Sequence, residues 1–161
     1  MNKEDIYNFL KEKNISYEVD EHEAVFNMEE LSGIDLLYPE ADAKNLFVRD
    51  DKKSKYYLIS VKSDKRVDLK EFKEKYNTRR LSFGSSDDLL AILNLTPGSV
   101  TPFGLLNDND LKVTFYVDKE FVDMNMIGVH PNDNTATVWI KTDDLINIIK
   151  EHGNEVCIYE W

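Results

Sequence analysis

The sequence of 161 residues holds one cysteine, Cys157, which excludes an internal disulfide framework and any cysteine-based zinc site. Its three histidines, His22, His130 and His152, lie far apart and form no His-x-x-x-His pattern, so a helix-borne metal centre finds little support. No run approaches the roughly 20 apolar residues of a membrane span. The opening Met-Asn-Lys-Glu-Asp lacks the apolar core of a signal peptide. No Gly-x-Ser-x-Gly elbow occurs, and Gly98-Ser99 lacks the Gly-Lys-Ser/Thr ending of a Walker loop. Internal repeats, low-complexity tracts and Ser/Pro-rich linkers are missing as well. These absences predict a reduced, soluble, cytoplasmic protein, a single domain over 1–161, with no cofactor, no metal and no membrane partner.

What is present suffices for a core: 42% hydrophobic residues, with 8 Phe and 8 Tyr. The formal charge of −11 argues against DNA and against general nucleic-acid binding, which wants a basic footprint. That charge is unevenly spread. Residues 1–43 carry a net −9, residues 44–80 a net +7, and residues 81–161 a net −9. The basic block, which includes Lys44, Lys62, Lys65 and Arg66, has two readings. It is either a solvated surface balancing acidic neighbours or a patch that steers an anionic partner despite the net charge.

Periodicity supplies the elements. Ile6, Phe9 and Leu10 with Asn2 as N-cap predict a helix over 3–13, and alternation at Tyr17 and Val19 predicts a strand. Asn27 with Glu30 predicts a capped helix ending at Gly33. Residues 46–48 and 56–61 flank a polar turn as a hairpin. Asp68 and Ser85 cap two further helices, with the short strand 81–83 between them. Strands 113–117, 135–140 and 156–159 follow, and Thr142 is the expected cap of a helix ending at Gly153. Frequent hairpins without a regular βαβ period favour an α+β fold with a curved mixed or antiparallel sheet.

Three places could carry chemistry. Lys44 stands at a strand start on the edge of the basic block, either solvated or facing an anion. Residues 96–105 hold two of the four prolines and two of the six glycines, which suits a rigid connector or a loop aiming backbone N–H groups into a cavity. Gly128-Val129-His130-Pro131 holds a histidine in extended backbone, either structurally bonded or functional. Cys157, in an apolar strand, reads as a packed residue rather than a reactive one.

At these same places the sequence resembles the YbaK/aminoacyl-tRNA-synthetase-associated domain family, including its freestanding prolyl-tRNA editing members. The segments that carry the resemblance are 44–50, 64–70, 80–83, 95–105 and 130–137, in order, with His22-Glu23-Ala24-Val25-Phe26 near the start. Glu23 stands where many members have proline, and Asn132-Asp133 replaces a more apolar pair. The resemblance implies a barrel-like curved mixed sheet surrounded by helices, and hydrolysis of alanine mischarged onto the proline tRNA. Members hydrolysing the cysteinyl ester, or a non-catalytic module sensing tRNA or an amino acid, are the alternatives. The family's lysine maps onto Lys44 and its His-Pro histidine onto His130. Within the matched segments Asn45, Gly98, Ser99, Gly104 and Thr135 become candidate substrate-binding residues. Val25, Phe26 and Met28 become candidate walls of a size-selective pocket, and Lys62, Lys65 and Arg66 candidates for tRNA steering. Prolyl-tRNA synthetase is a candidate partner.

Overall fold

The computed structural model describes residues 1–24 and 36–160. Helix α1 (Lys3–Glu12) starts where Asn2 and Asp5 cap each other reciprocally: the Asn2 side chain accepts the Asp5 N–H at 2.9 Å, and the Asp5 carboxylate accepts the Asn2 N–H at 2.9 Å. Its spacing of Ile6 and Leu10 buries one face.

The strands divide into two sheets. One is antiparallel, in the order β1 (Tyr17–Glu21), β7 (Ala136–Ile140), β6 (Ile127–Val129). The other is mixed, in the order β4 (Leu81–Phe83), β2 (Ala43–Asp50), β3 (Tyr56–Lys62), β5 (Val113–Asp118), β8 (Val156–Tyr159). Within it β2 pairs antiparallel with β3 and β4, whereas β3–β5 and β5–β8 are parallel. Helices α2 (Leu69–Tyr76), α3 (Ser86–Leu93), α4 (Lys119–Met124) and α5 (Thr142–His152) connect the strands. The α+β class expected from the hairpins is the one observed.

Strand β3 reads as a nearly continuous apolar run because both of its faces are covered. Tyr56 and Leu58 join the larger core with Phe103 and Phe115. Tyr57, Ile59 and Val61 join a second, tyrosine-rich core with Phe72 of α2 and Tyr116 of β5. The two sheets meet at a parallel bridge between Asp42, just before β2, and Gly128 in β6. Gly128 leaves no room for a side chain: a Cβ there would lie 2.1 Å from the Trp139 ring.

Some expectations need correction. Thr142 does not cap α5. Lys141 holds the N-cap position with no side-chain bond, while the buried Thr142 hydroxyl donates to Phe121 O at 2.7 Å. Helix α4 is too short to show a period and β6 has a glycine at its centre, and neither was foreseen. Within the Pro/Gly loop, residues Pro102–Asn107 wind into a 3-10 turn, with proline at its start, where no N–H is missed. The helix expected over 27–33 lies outside the described residues.

Candidate active site

The bridge between the sheets organises the site. Lys44 and His130 each stand two residues beyond it, on chains leaving from a common point. Side chains two residues apart in extended backbone share a face. Lys44 therefore lies on the face of β2 that carries Leu46 and Val48, opposite Val61 of β3. Asn45 points to the other face, where its side-chain oxygen accepts the hydroxyl of the buried Ser60, the residue opposite it. These neighbouring candidates thus look in opposite directions.

Lys44 is half-buried and donates its Nζ to the carbonyl oxygen of Lys65 in the β3–α2 loop. Burial holds its ammonium below the usual lysine range; the nearby Arg66 charge adds to this and Asp64 opposes it. Lys65 is itself fixed, because its Nζ lies 2.8 Å from the buried Asp118 carboxylate and 2.9 Å from Glu120. Burial would lower its pKa, but those two carboxylates raise it above the ordinary value. Lys62 sits 4.0 Å from Glu120, and Arg66 is exposed. Of the three steering candidates, Lys62 and Lys65 are therefore balanced by acids of the β5–α4 junction. Asp42, at the bridge, is buried too; burial pushes its carboxyl up to about 7, against the Ala43 amide.

On the His130 side the bonds are neutral and short. The His130 Nδ1–H donates to Ala136 O at 2.8 Å, a tautomer assigned because a carbonyl can only accept. Burial lowers the imidazole's pKa, the Ala136 bond raises it, and the nearby His22 lowers it again. The ring is thus neutral at pH 7, with the Nε2 lone pair available. His22 lies with its ring centre 6.3 Å away; it donates Nδ1–H to Glu23 O at 2.8 Å and meets the Thr137 hydroxyl at 3.1 Å through Nε2.

The Pro/Gly loop is tied to this histidine segment by one atom. The fully buried Thr101 hydroxyl donates to His130 O at 2.5 Å and accepts the Phe103 N–H at 3.4 Å. Upstream, Ser99 N–H closes a turn onto Thr96 O at 3.1 Å, and Gly98 takes φ +93°, a conformation that suits glycine. Among the described residues the N–H groups of Gly98, Val100 and Thr101 have no backbone acceptor, and of these Gly98 lies at the turn, so it is one of the loop amides that can meet a ligand oxygen. Gly104 packs: a Cβ there would lie 2.5 Å from Leu95. Thr135 donates its hydroxyl to Asp133 at 2.6 Å and accepts Lys3 Nζ at 3.0 Å.

The structure therefore gathers His130, the 96–104 loop and Thr135 around the start of β7, with Lys44 beyond the bridge. Val25, Phe26 and Met28 lie outside the described residues. Sequence reasoning missed Thr101 and His22 as site residues. The signal for His22 was the β1–β7 pairing, which carries on past Glu21 to place His22 N–H on Thr135 O at 2.9 Å.

Comparison with known proteins places the chain in a family. Residues 22–148 match the family described as the aminoacyl-tRNA editing domain. The chain is 42% identical over 145 residues to the prolyl-tRNA editing protein ProX of Acetoanaerobium sticklandii, covering 90% of this chain and 88% of that one. It is 30% identical over 148 residues to the prolyl-tRNA synthetase associated domain-containing protein 1 of Bos taurus, covering 89% and 86%. A solved structure described as a candidate trans-editing enzyme for prolyl tRNA synthetase shares the fold, with a TM-score of 0.68 at 16% identity over 97% of this chain and 94% of that one. On the extent of the sequence match, with the fold in agreement, the chain belongs to the aminoacyl-tRNA editing domain family.

Proposed function

We propose that this protein is a trans-acting deacylase that hydrolyses the ester of alanine mischarged onto the proline tRNA. Its family makes it an aminoacyl-tRNA hydrolase, and its ProX relative supports the proline tRNA as the substrate. The observation that carries the reading is the Thr101–His130 tie, which holds the amide-presenting loop against a neutral imidazole. An aminoacyl ester is already activated, so positioning and stabilisation of the oxyanion can supply the rate without a side-chain nucleophile.

In this mechanism the terminal ribose hydroxyl orients a water that attacks the ester carbonyl. The carbonyl oxygen, as it becomes negative, is received by Gly98 N–H. The ester C–O bond then breaks, the ribose oxygen takes a proton, and free alanine leaves. Lys44 neutralises the terminal phosphate, for which an ammonium of lowered pKa, held by one carbonyl, keeps two N–H donors. His130 Nε2 accepts a hydrogen bond from the substrate and shapes the pocket. Selectivity rests on size. A missing methylene gives a synthetase only ~1–3 kcal/mol of discrimination, and a second pocket that admits alanine but clashes with proline corrects the error. Prolyl-tRNA synthetase is the partner that would supply tRNA identity.

A deacylation assay with alanyl-, cysteinyl- and prolyl-tRNA(Pro) tests this. Wild type is expected to release alanine fastest and to spare the prolyl ester, with Lys44→Ala slowing the reaction at least tenfold. Faster release of cysteine would move the substrate to the cysteinyl ester. No turnover of either ester would leave a binding module and defeat the proposal.

A further inference from the structure

The basic block is only partly absorbed by the site. Lys62 and Lys65 are balanced by Asp118 and Glu120, and Arg79 by Asp51. Among the described residues, Lys52, Lys53 and Lys55 of the β2–β3 turn, and Lys112 before β5, form no ion pair. All four are exposed. Part of the block's unpaired positive charge therefore sits at the far end of the hairpin from Lys44, while among the described residues Arg66, Lys70, Lys73 and Arg80 form no ion pair either. Lys55 stands six positions before Val61, the residue opposite Lys44, a span of about 20 Å at ~3.3 Å per residue.

At that far end lies a cleft of about 390 Å³, between the hairpin turn, the end of α2 and the start of β5. Lys55 and Lys112 stand on its lining together with Tyr57, Tyr76, Tyr116 and Glu155. Tyr57 and Tyr116 are nearly buried, and Tyr76 is half-buried with its ring centre 4.9 Å from that of Tyr116. Tyr57 and Tyr116 therefore belong to the core behind the cleft, and Tyr76 is the ring that reaches its surface. Leu111, also on the lining, takes φ +55° and is held there against Gly153, a left-handed backbone that a leucine rarely adopts. Aromatic rings present a surface for a nucleobase, and lysines on the same lining present charge to a phosphate. A carboxylate beside them accepts hydrogen bonds from base N–H donors.

We propose that this cleft binds a nucleoside phosphate, the base lying on Tyr76 with its N–H donors towards Glu155 and the phosphate taken by Lys55 and Lys112. The source that fits is a nucleotide of the RNA whose end reaches Lys44, and that identification rests on the deacylase reading; the cleft chemistry does not. Helix α2, which lies between the two places, carries exposed Lys70, Lys73 and Lys75 interleaved with exposed Glu71 and Glu74.

The test measures binding rather than hydrolysis. Affinity for uncharged tRNA(Pro) is read by fluorescence anisotropy across a salt series, and AMP is titrated separately by amide chemical shifts. The variants are Lys55→Glu/Lys112→Glu and Lys55→Ala/Lys112→Ala, with Lys11→Glu/Lys150→Glu as a control of equal charge on exposed helix positions elsewhere. The reversal is expected to weaken tRNA binding on the order of tenfold and to lower the salt slope by about 2, the alanine pair acting in the same direction and the control much less. Loss of tRNA affinity without saturable AMP shifts identifies the RNA strand as the ligand. Saturable AMP shifts at the cleft, abolished by the variants while tRNA binding is unchanged, identify a free nucleotide. If neither ligand distinguishes the cleft variants from the control, the inference is overturned. A protein that binds tRNA through the cleft but releases no amino acid would overturn the deacylase reading and leave this one standing.

Discussion

Two buried aspartates flank the end of β3, one beside β2 and one at the end of β5, and live in opposite electrostatic worlds. Asp118, at the end of β5, has Lys65 at 2.8 Å, accepts the Glu120 N–H at 3.0 Å and also accepts the Lys62 N–H at 3.3 Å. Asp42, at the bridge, is paired with no cation among the described residues, and its carboxyl is pushed up to about 7. Equal burial thus has unequal meaning. One carboxylate is a strut that fixes Lys65 and, through the Lys65 carbonyl, the Lys44 ammonium. The other is a carboxyl that burial keeps protonated up to about pH 7.

Removing the strut should produce the largest effect. Asp118→Ala leaves Lys65 without its buried partner and α4 without its cap, so urea unfolding should show a loss of about 3–5 kcal/mol. Asp42→Asn should act in the opposite direction. The folded pKa of Asp42 lies above the ordinary 3.8, so its contribution is intact below 3.8 and is lost as pH rises towards 7. At pH 8 the asparagine variant should be more stable than wild type, on the order of 2 kcal/mol, and the gain should vanish near pH 4. Equal effects of Asp42→Asn at both pH values would erase the contrast.

Thr101→Val sharpens the same comparison on the neutral side of the site. It keeps the shape but leaves His130 O without its donor, at a cost of about 1–3 kcal/mol in urea unfolding, with alanine release slowed more than stability alone explains. Acid should act on this side as well. His130 titrates below the ordinary 6.5, so kcat/KM should hold near neutrality and fall only as pH drops beneath that value. The smallest effect belongs to Lys62→Ala. Its 4.0 Å contact with a half-exposed Glu120 should be worth below about 0.5 kcal/mol, and salt should abolish it.

Much of this was legible in the residues, for reasons that differ by element. The capping pair Asn2–Asp5 and the apolar run Tyr56–Val61 are local signals, and the structure keeps both. Strand β6 was not legible because Ile127-Gly128-Val129 carries a glycine at its centre, whereas the equally short Leu81-Ser82-Phe83 alternates. The non-capping role of Thr142 depends on Phe121 O, which only the folded chain brings near. At the site, Lys44 and His130 were visible as residue types in a resembling pattern. The roles of Thr101, His22 and Lys65 were not, since each depends on a partner far away in sequence: His130 O, the Thr137 hydroxyl and the Asp118 carboxylate. The reading of 62–66 as a steering patch shows the same limit, because the acids that balance it lie more than fifty residues on.

One residue, Ala43, separates Asp42 from Lys44, and one residue, Val129, separates Gly128 from His130. Adding or deleting a residue in either spacer would swing the side chain to the opposite side of the backbone, because the pleat alternates at every position. The turn between β2 and β3 obeys no such rule, since doubling its length costs only about 0.6 kcal/mol. Chains that share this site are therefore free to gain or lose residues at the hairpin tip, and bound to keep two spacers of one residue each.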